Sequence, residues 1–273
     1  MSDTVMTGDI DKPPAIPKLP ADIYVCIGIA VMAACAMIAV LSFSFAALPY
    51  DGKAAIFLLD HGSRSLFLGL YPVTIQNFLH VLTAACLGIL FHRWQRARFE
   101  ETFLRANLLP TDDHVLLSLD DLGKLRRRIL PLVSSGASLP VLIDTAILLS
   151  MNTKSAEQAG SSVSAKLELI SHRLDLEYQF VRYIAWLVPT IGFVGTVVGI
   201  AAALDGLDPK HLDILRVTSG LGVAFYTTIV ALVESAILVF VQNVVQRREE
   251  LSLNAAADHC VTNLINRIYF SAD

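Results

Sequence analysis

Hydroxyl groups and one carboxylate interrupt two long apolar stretches near the C-terminal end of the chain, residues 180–204 and 215–241. The polar residues that could do chemistry there are Thr196, Thr227, Thr228 and Glu234. A hydroxyl both donates and accepts a hydrogen bond, so it can relay a proton or replace part of the hydration shell of a cation. Inside a helix, however, a threonine hydroxyl also bonds readily to the carbonyl one turn earlier. The residue types therefore suit either an ion path or local backbone bonding.

Each stretch is long enough to hold these groups inside a membrane, because a hydrocarbon core of ~30 Å needs ~20 helical residues. Small residues recur along both stretches, at Gly192, Gly195, Gly199, Gly220 and Ala224. In lipid the hydrophobic effect gives helices no drive to associate, and small residues let two backbones approach closely enough to pack. The pattern predicts two crossing helices packed around a polar seam.

Pro189 lies in the first of the two stretches. A proline within a helix removes one backbone hydrogen bond and bends the helix. In a lipid environment the carbonyl that loses its partner must find another. Pro189 is therefore expected to act either as a hinge of a pore-lining helix or as a fixed bend.

Glu234 is the carboxylate within the second stretch, and it shares a helix face with Thr227, seven residues earlier. A rise of 1.5 Å per residue places it roughly 9 Å from Thr228 along the axis. Two interpretations remain open. Glu234 is either a proton-accepting group at the inner exit of an ion path, or a carboxylate paired with Arg182 or Arg173 of the adjoining helix.

Two sequence motifs add a family resemblance. Residues 189–200 read Pro-Thr-Ile-Gly-Phe-Val-Gly-Thr-Val-Val-Gly-Ile, and residues 220–232 read Gly-Leu-Gly-Val-Ala-Phe-Tyr-Thr-Thr-Ile-Val-Ala-Leu. In this order, with a short loop between them, they resemble the penultimate and last membrane helices of the MotA/TolQ/ExbB proton-channel family. The resemblance covers residues 189–232 and does not extend to residues 1–176.

The resemblance implies a channel-forming subunit of a motor driven by H+ or Na+. Threonines at the positions of Thr196 and Thr228 would line the ion path. Such subunits form a homo-oligomeric ring, commonly a pentamer, around a dimer of a single-crossing partner of the ExbD/TolR/MotB-like type, whose aspartate binds the ion. Some members carry a glutamate where this chain has Val223, so the route of the ion differs in detail here.

The composition agrees with a membrane location. Hydrophobic residues make up 54% of the chain and charged residues 17%, whereas soluble domains have about 45–50% and ~25%. The net charge of −4 is small for 273 residues, and because no basic patch is interleaved with aromatic residues we expect no nucleic-acid partner. We find no nucleophile, acid–base pair, metal cluster or phosphate loop, so we expect no enzyme activity, cofactor or metal.

The fold class predicted is an all-α integral membrane protein with four transmembrane helices, the last two extending into a helical cytoplasmic domain. Arginines cluster at residues 92–98 and 126–128, which marks the side of the membrane that holds these residues as cytoplasmic. With four crossings, both termini are then predicted on the cytoplasmic side of a bacterial inner membrane. The predicted organisation is a flexible arm (1–22), two membrane helices with a short outer connection (23–91), a cytoplasmic domain (92–179), two channel-lining helices (180–241) and a cytoplasmic C-terminal helix (242–273).

Local signals predict finer detail. Ser118 and Asp121 suit the start of a helix, and Ser138 precedes an apolar helix too short to span a membrane. The Gly- and Ser-rich residues 155–164 are predicted to form a loop. In the second membrane helix, His80 and its polar neighbours are expected to bond other helices, and a proton-relay role for His80 is a lesser alternative.

A second function class stays open from sequence alone. A membrane scaffold or sensor that moves no ions would use small-residue helix faces equally well. A solute transporter is disfavoured, because no internal repeat with paired interrupted helices is present. The sequence does not choose between H+ and Na+, nor between outer-membrane energisation, flagellar torque, gliding and phage defence.

Overall fold

The computed structural model describes residues 19–47, 53–59, 72–110, 115–205 and 214–270. These residues form seven α-helices and a terminal 3-10 turn. The helices are α1 (Ile23–Ala47), α2 (Lys53–Leu59), α3 (Ile75–Arg105), α4 (Leu119–Val133), α5 (Ser138–Thr153), α6 (Ala156–Asp205) and α7 (Ile214–Asn263), and the turn is Ile265–Arg267.

Four of these helices, α1, α3, α6 and α7, are long and apolar enough to cross a membrane. The prediction of an all-helical chain with four candidate membrane helices is therefore confirmed over the described residues. Several predicted connections lie outside them: most of the N-terminal arm (1–18), most of the connection between the first two membrane helices (48–52 and 60–71) and the loop at 206–213.

The chain divides into two compact units. The membrane unit comprises Ala21–His92 and Tyr178–Val244, and it contains α1, α2, most of α3 and the apolar parts of α6 and α7. The charged unit comprises Arg93–Glu177 and Val245–Asp273 in its described part, and it contains α4 and α5.

The charged unit is organised around a hydrophobic core in which α4 and α5 pack together. The side-chain oxygen of Ser118 accepts a bond from the backbone N–H of Asp121, while the Asp121 carboxylate accepts one from the backbone N–H of Ser118. This reciprocal capping satisfies two backbone donors at the helix start. The predicted start of α4 is thereby confirmed.

The predicted short helix is also confirmed as α5, with Leu142 and Ile143 fully buried. Its acidic residue Asp144 accepts a hydrogen bond at 2.9 Å from the side chain of Arg126 on α4. A packed helix can hold a carboxylate in this way because a charged donor compensates it.

The prediction of a loop over residues 155–164 is wrong, because α6 already begins at Ala156. The hydroxyl of Ser155 accepts the backbone N–H of Gln158, and Ala159 and Val163 are buried in the charged unit. Glycine and serine lower helix propensity by only ~1 kcal/mol or less per residue, which burial of apolar side chains outweighs.

Each of the last two helices runs 50 residues without interruption, as expected for membrane helices that extend beyond the bilayer. The C-terminal helix was predicted over residues 242–273, but α7 ends at Asn263. Beyond it, Arg267 is buried and donates to the carbonyl of Pro110 at 3.1 Å. This contact holds the chain end against the loop after α3.

Candidate ion path in the membrane unit

Close backbone approach between α6 and α7 defines the seam. A Cβ placed on Gly199 would lie 2.5 Å from the Cβ of Ala224, and one on Gly195 would lie 2.8 Å from Cγ2 of Thr227. A Cβ on Gly192 would overlap with the Cβ of Ala231. The helices can therefore meet at this distance only because one of them presents hydrogen in place of a methyl group.

Two threonine hydroxyls meet across this contact. Thr196 Oγ1 on α6 and Thr228 Oγ1 on α7 are hydrogen-bonded to each other. The Thr228 hydroxyl also approaches the Gly192 carbonyl at 3.0 Å, and the Thr196 hydroxyl approaches the carbonyls of Gly192 and Ala224 at 3.2 and 3.3 Å. The two hydroxyls and two carbonyls form a single cluster that both helices share.

The cluster contains more acceptors than hydrogens. Each hydroxyl carries one hydrogen, whereas Gly192, Ala224 and the opposite hydroxyl of either threonine can all accept. In one arrangement Thr196 donates to a carbonyl and Thr228 donates to the Thr196 hydroxyl; in the other the two threonines exchange these roles. Rotation of the hydroxyl groups converts one arrangement into the other. At Thr196, local bonding to the Gly192 carbonyl of its own helix thus occurs together with a contact to the Thr228 hydroxyl of the other helix.

Thr227 has a different environment from its neighbour. It is 5% exposed, and its methyl group is the nearest atom to a Cβ built on Gly195, where Ile75 of α3 also packs. We expected one of the two adjacent threonines to face the seam and the other a neighbouring helix. In the structure Thr228 bonds to α6 in the seam, and Thr227 packs where α3, α6 and α7 meet.

The carbonyl released by Pro189 has a partner. Proline lacks an N–H, so the carbonyl of Ala185, four residues earlier, cannot form its usual helical bond. The Ser235 hydroxyl on α7 donates to that carbonyl at 2.8 Å. Sequence reasoning noted that a partner was needed but did not identify it, because nothing in the chain order places Ser235 next to Ala185.

This contact makes a testable prediction. Ser235→Ala leaves the Ala185 carbonyl without a donor, so we expect the free energy of unfolding to fall by ~1–3 kcal/mol. In a Pro189→Ala background the backbone N–H is restored, and Ser235→Ala should then cost clearly less. A mixed-detergent unfolding titration of the two single variants and the double variant measures this. Equal costs in both backgrounds would contradict the assignment.

Glu234 bonds to the second membrane helix. Its Oε1 contacts Nδ1 of His80, and its Oε2 accepts the Thr83 hydroxyl at 2.6 Å. The alternative that paired Glu234 with Arg182 or Arg173 is wrong for its described contacts, because the charged partner is a histidine of α3. Thr83 was not predicted as a site residue, because a single threonine within the long apolar part of α3 belongs to no motif.

The same helix supports the end of α2. Side chains of Thr74, Gln76 and His80 approach the last three carbonyls of α2 at 3.2, 3.0 and 2.8 Å. The last four carbonyls of a helix lack partners within it. Gln76 and His80 of α3 thus bond to a neighbouring helix end, as expected, and Thr74, just before α3, does the same. These bonds fix the ring of His80 in place.

The remaining predicted packing residue, Gly220, lies in α7 one turn before Ala224, which is 1% exposed. Within the described residues no group of histidine, cysteine or acidic side chains could hold a metal ion.

Together these contacts define a polytopic helical membrane protein with a hydroxyl-bearing seam between its last two helices. Residues 139–256 match the model of the MotA/TolQ/ExbB proton channel family. This part of the chain therefore matches the family that its two motifs predicted, and the match suggests an ion-channel subunit of the stator type. The match covers less than half of the chain and leaves out α1–α4. No match was found among curated proteins.

Proposed function

We propose that this protein is the H+- or Na+-conducting subunit of an ion-driven motor in a bacterial inner membrane. The observation that carries the proposal is the shared hydrogen-bonded cluster of Thr196 and Thr228, which lies inside the region that matches the channel family. A hydroxyl pair whose donor direction can reverse is suited to receive a proton or contribute oxygens to a passing cation.

Several copies of the chain and a second protein complete the proposed machine. The membrane helices leave large apolar side chains uncovered on α6 and α7, among them Phe193, Val197, Phe225 and Leu232. Lipid and neighbouring copies would cover these faces in a ring, which we propose to be a pentamer. A dimer of a single-crossing partner at its centre would supply the carboxylate that binds the ion.

The working cycle follows from electrostatics. An ion that neutralises the partner's carboxylate lets it leave the polar seam, and release of the ion returns it, so that the ring turns about the partner. The electrical component alone supplies ~2.3 kcal/mol per charge for each 100 mV. In this arrangement residues 92–179 and 242–273 face the cytoplasm, together with both chain termini.

The test is ion flux through the complex isolated from its native membrane and reconstituted in vesicles with dyes for pH and Na+. Replacement of both Thr196 and Thr228 by valine should slow flux at least tenfold, which corresponds to a barrier higher by ~1.4 kcal/mol. Thr190→Val is the matched control, because the Thr190 hydroxyl donates to the Trp186 carbonyl of its own helix at 2.9 Å.

The scaffold interpretation predicts the opposite. If the wild-type complex passes neither ion, or if the double valine variant and the Thr190→Val control conduct equally, the proposal is wrong.

A further inference from the structure

The contact between His80 and Glu234 specifies where hydrogens must lie. Nε2 of His80 is 2.8 Å from the carbonyl oxygen of Leu58. A carbonyl can only accept, so Nε2 must carry a hydrogen. The assignment of that ring nitrogen therefore follows from its partner on α2.

The opposite side of the ring faces Glu234. Its Oε2 already accepts the hydroxyl of Thr83, and its Oε1 contacts Nδ1 of His80. An unprotonated Nδ1 and an ionised carboxylate both present lone pairs, which repel each other. One proton must therefore lie between Nδ1 and Oε1, either on the imidazolium or on the carboxylic acid.

We infer that His80, Glu234 and Thr83 form a proton-binding site within one subunit, separate from the hydroxyl cluster of Thr196 and Thr228. In the occupied form the pair holds the shared proton and is neutral overall. When the proton between Nδ1 and Oε1 passes to water or to another acceptor, neutral His80 keeps its Nε2 hydrogen and Glu234 becomes a carboxylate that accepts from Thr83. Proton uptake reverses the step.

The groups that contact this pair are uncharged, so its net charge depends on its own proton. The pair contacts the Leu58 carbonyl of α2 and the Thr83 hydroxyl of α3, both of which are uncharged. Among the described residues, the charged side chain that acts on His80 is its own partner, Glu234. Each side chain is only 13% exposed. Release of the proton therefore leaves an unpaired charge in a poorly hydrated place, which links occupancy to the local arrangement of α2, α3 and α7.

The site is built for a proton and not for Na+. Hard cations bind several oxygen ligands, whereas an imidazole nitrogen is not a ligand that they prefer. Here both carboxylate oxygens already face hydrogens, and the ring presents N–H groups. The inference rests on the proposed function for the use of the proton, but the binding itself does not depend on a partner protein.

Proton binding can be measured on the purified full-length protein in lipid nanodiscs without any partner. Nitrogen NMR of histidine-labelled protein reports whether each ring nitrogen carries a hydrogen, His80→Gln identifies the His80 signals, and the exposed His172 is an internal reference. We expect the signal of Nδ1 of His80 to show a bound or hydrogen-bonded proton near neutral pH and to show its loss at alkaline pH, with no response to Na+ at constant ionic strength.

Variants sharpen the measurement. In Glu234→Gln the ratio of protonated to unprotonated Nδ1 at a given pH should fall about tenfold, because loss of a charged partner typically changes this equilibrium by about that factor. Glu250→Gln, which removes a carboxylate of α7 bonded to Gln246, should leave it unchanged. Thr83→Val retains the His80–Glu234 contact and should keep the proton that the two side chains share.

A His80 ring whose Nδ1 signal does not change with pH would overturn the inference, as would a titration that Na+ displaces or that Glu234→Gln leaves unaltered. If the pair exchanges its proton but the reconstituted complex conducts no ion, this inference stands and the proposed motor function fails.

Discussion

Replacement of Gly199 or Gly192 by alanine should separate the last two membrane helices. The added methyl at Gly199 would lie 2.5 Å from the Cβ and 3.1 Å from the Cα of Ala224, so relief requires movement of the backbone. Overpacking of this kind costs ~1–3 kcal/mol at one site. The double variant should cost more than either single one and should disturb the hydroxyl contact between Thr196 and Thr228. Unfolding in mixed detergent measures the loss.

A matched control and a rescue make this prediction specific. Gly222→Ala adds the same methyl in α7 at a place with no heavy atom within 4 Å, and it should be neutral or slightly stabilising. Exchange of the two residues, Gly199→Ala with Ala224→Gly, restores the total volume and should recover most of the stability. A rescue no better than Gly199→Ala alone would show that close contact at this position does not hold the helices together.

Glu234→Ala should be the most destabilising change of a single polar residue in the membrane unit. It removes the partner of His80 and of Thr83 at once, and breaking a buried charged pair from one side typically costs ~3–5 kcal/mol. Glu234→Gln keeps an acceptor oxygen and nearly the same shape, so it should cost much less. The same unfolding titration applies, with Glu250→Ala of α7 as a control expected to stay within ~0.5 kcal/mol.

A double-mutant cycle identifies the source of that loss. If His80 and Glu234 interact directly, the variant that lacks both side chains should be more stable than the sum of the two single losses predicts, by ~0.5–3 kcal/mol. Additive losses would mean that Glu234 stabilises the protein through some contact other than His80.

The elements of this fold were largely readable from the chain. Apolar length predicted the four candidate crossings, and the cap at Ser118 predicted the start of α4. Both signals are local, since one depends on the number of consecutive apolar residues and the other on groups three residues apart. The helix over residues 156–164 was missed because its stability comes from burial of Ala159 and Val163 against residues far away in sequence.

The residues of the candidate site also fall into two groups, those predictable from local spacing and those whose partners are distant in sequence. The proline, the glycines and the two threonines were predictable because their spacing follows one helix and forms a motif, and the family match over residues 139–256 supports that assignment. The partners of Ser235 and Glu234 were not predictable. They lie 50 residues away at Ala185, and 154 and 151 residues away at His80 and Thr83.

The sequence by itself determined which four stretches are long and apolar enough to cross a membrane, that the last two helices pack through small residues, and which family these two helices resemble. Only the tertiary structure decided that the carbonyl released by Pro189 accepts a hydrogen bond from Ser235, and that Glu234 contacts His80 instead of an arginine. The physical reason is that apolar length and helical spacing are properties of neighbouring residues. The partner of a buried polar group depends on which helices pack side by side, and that is settled by the packing of the whole membrane unit.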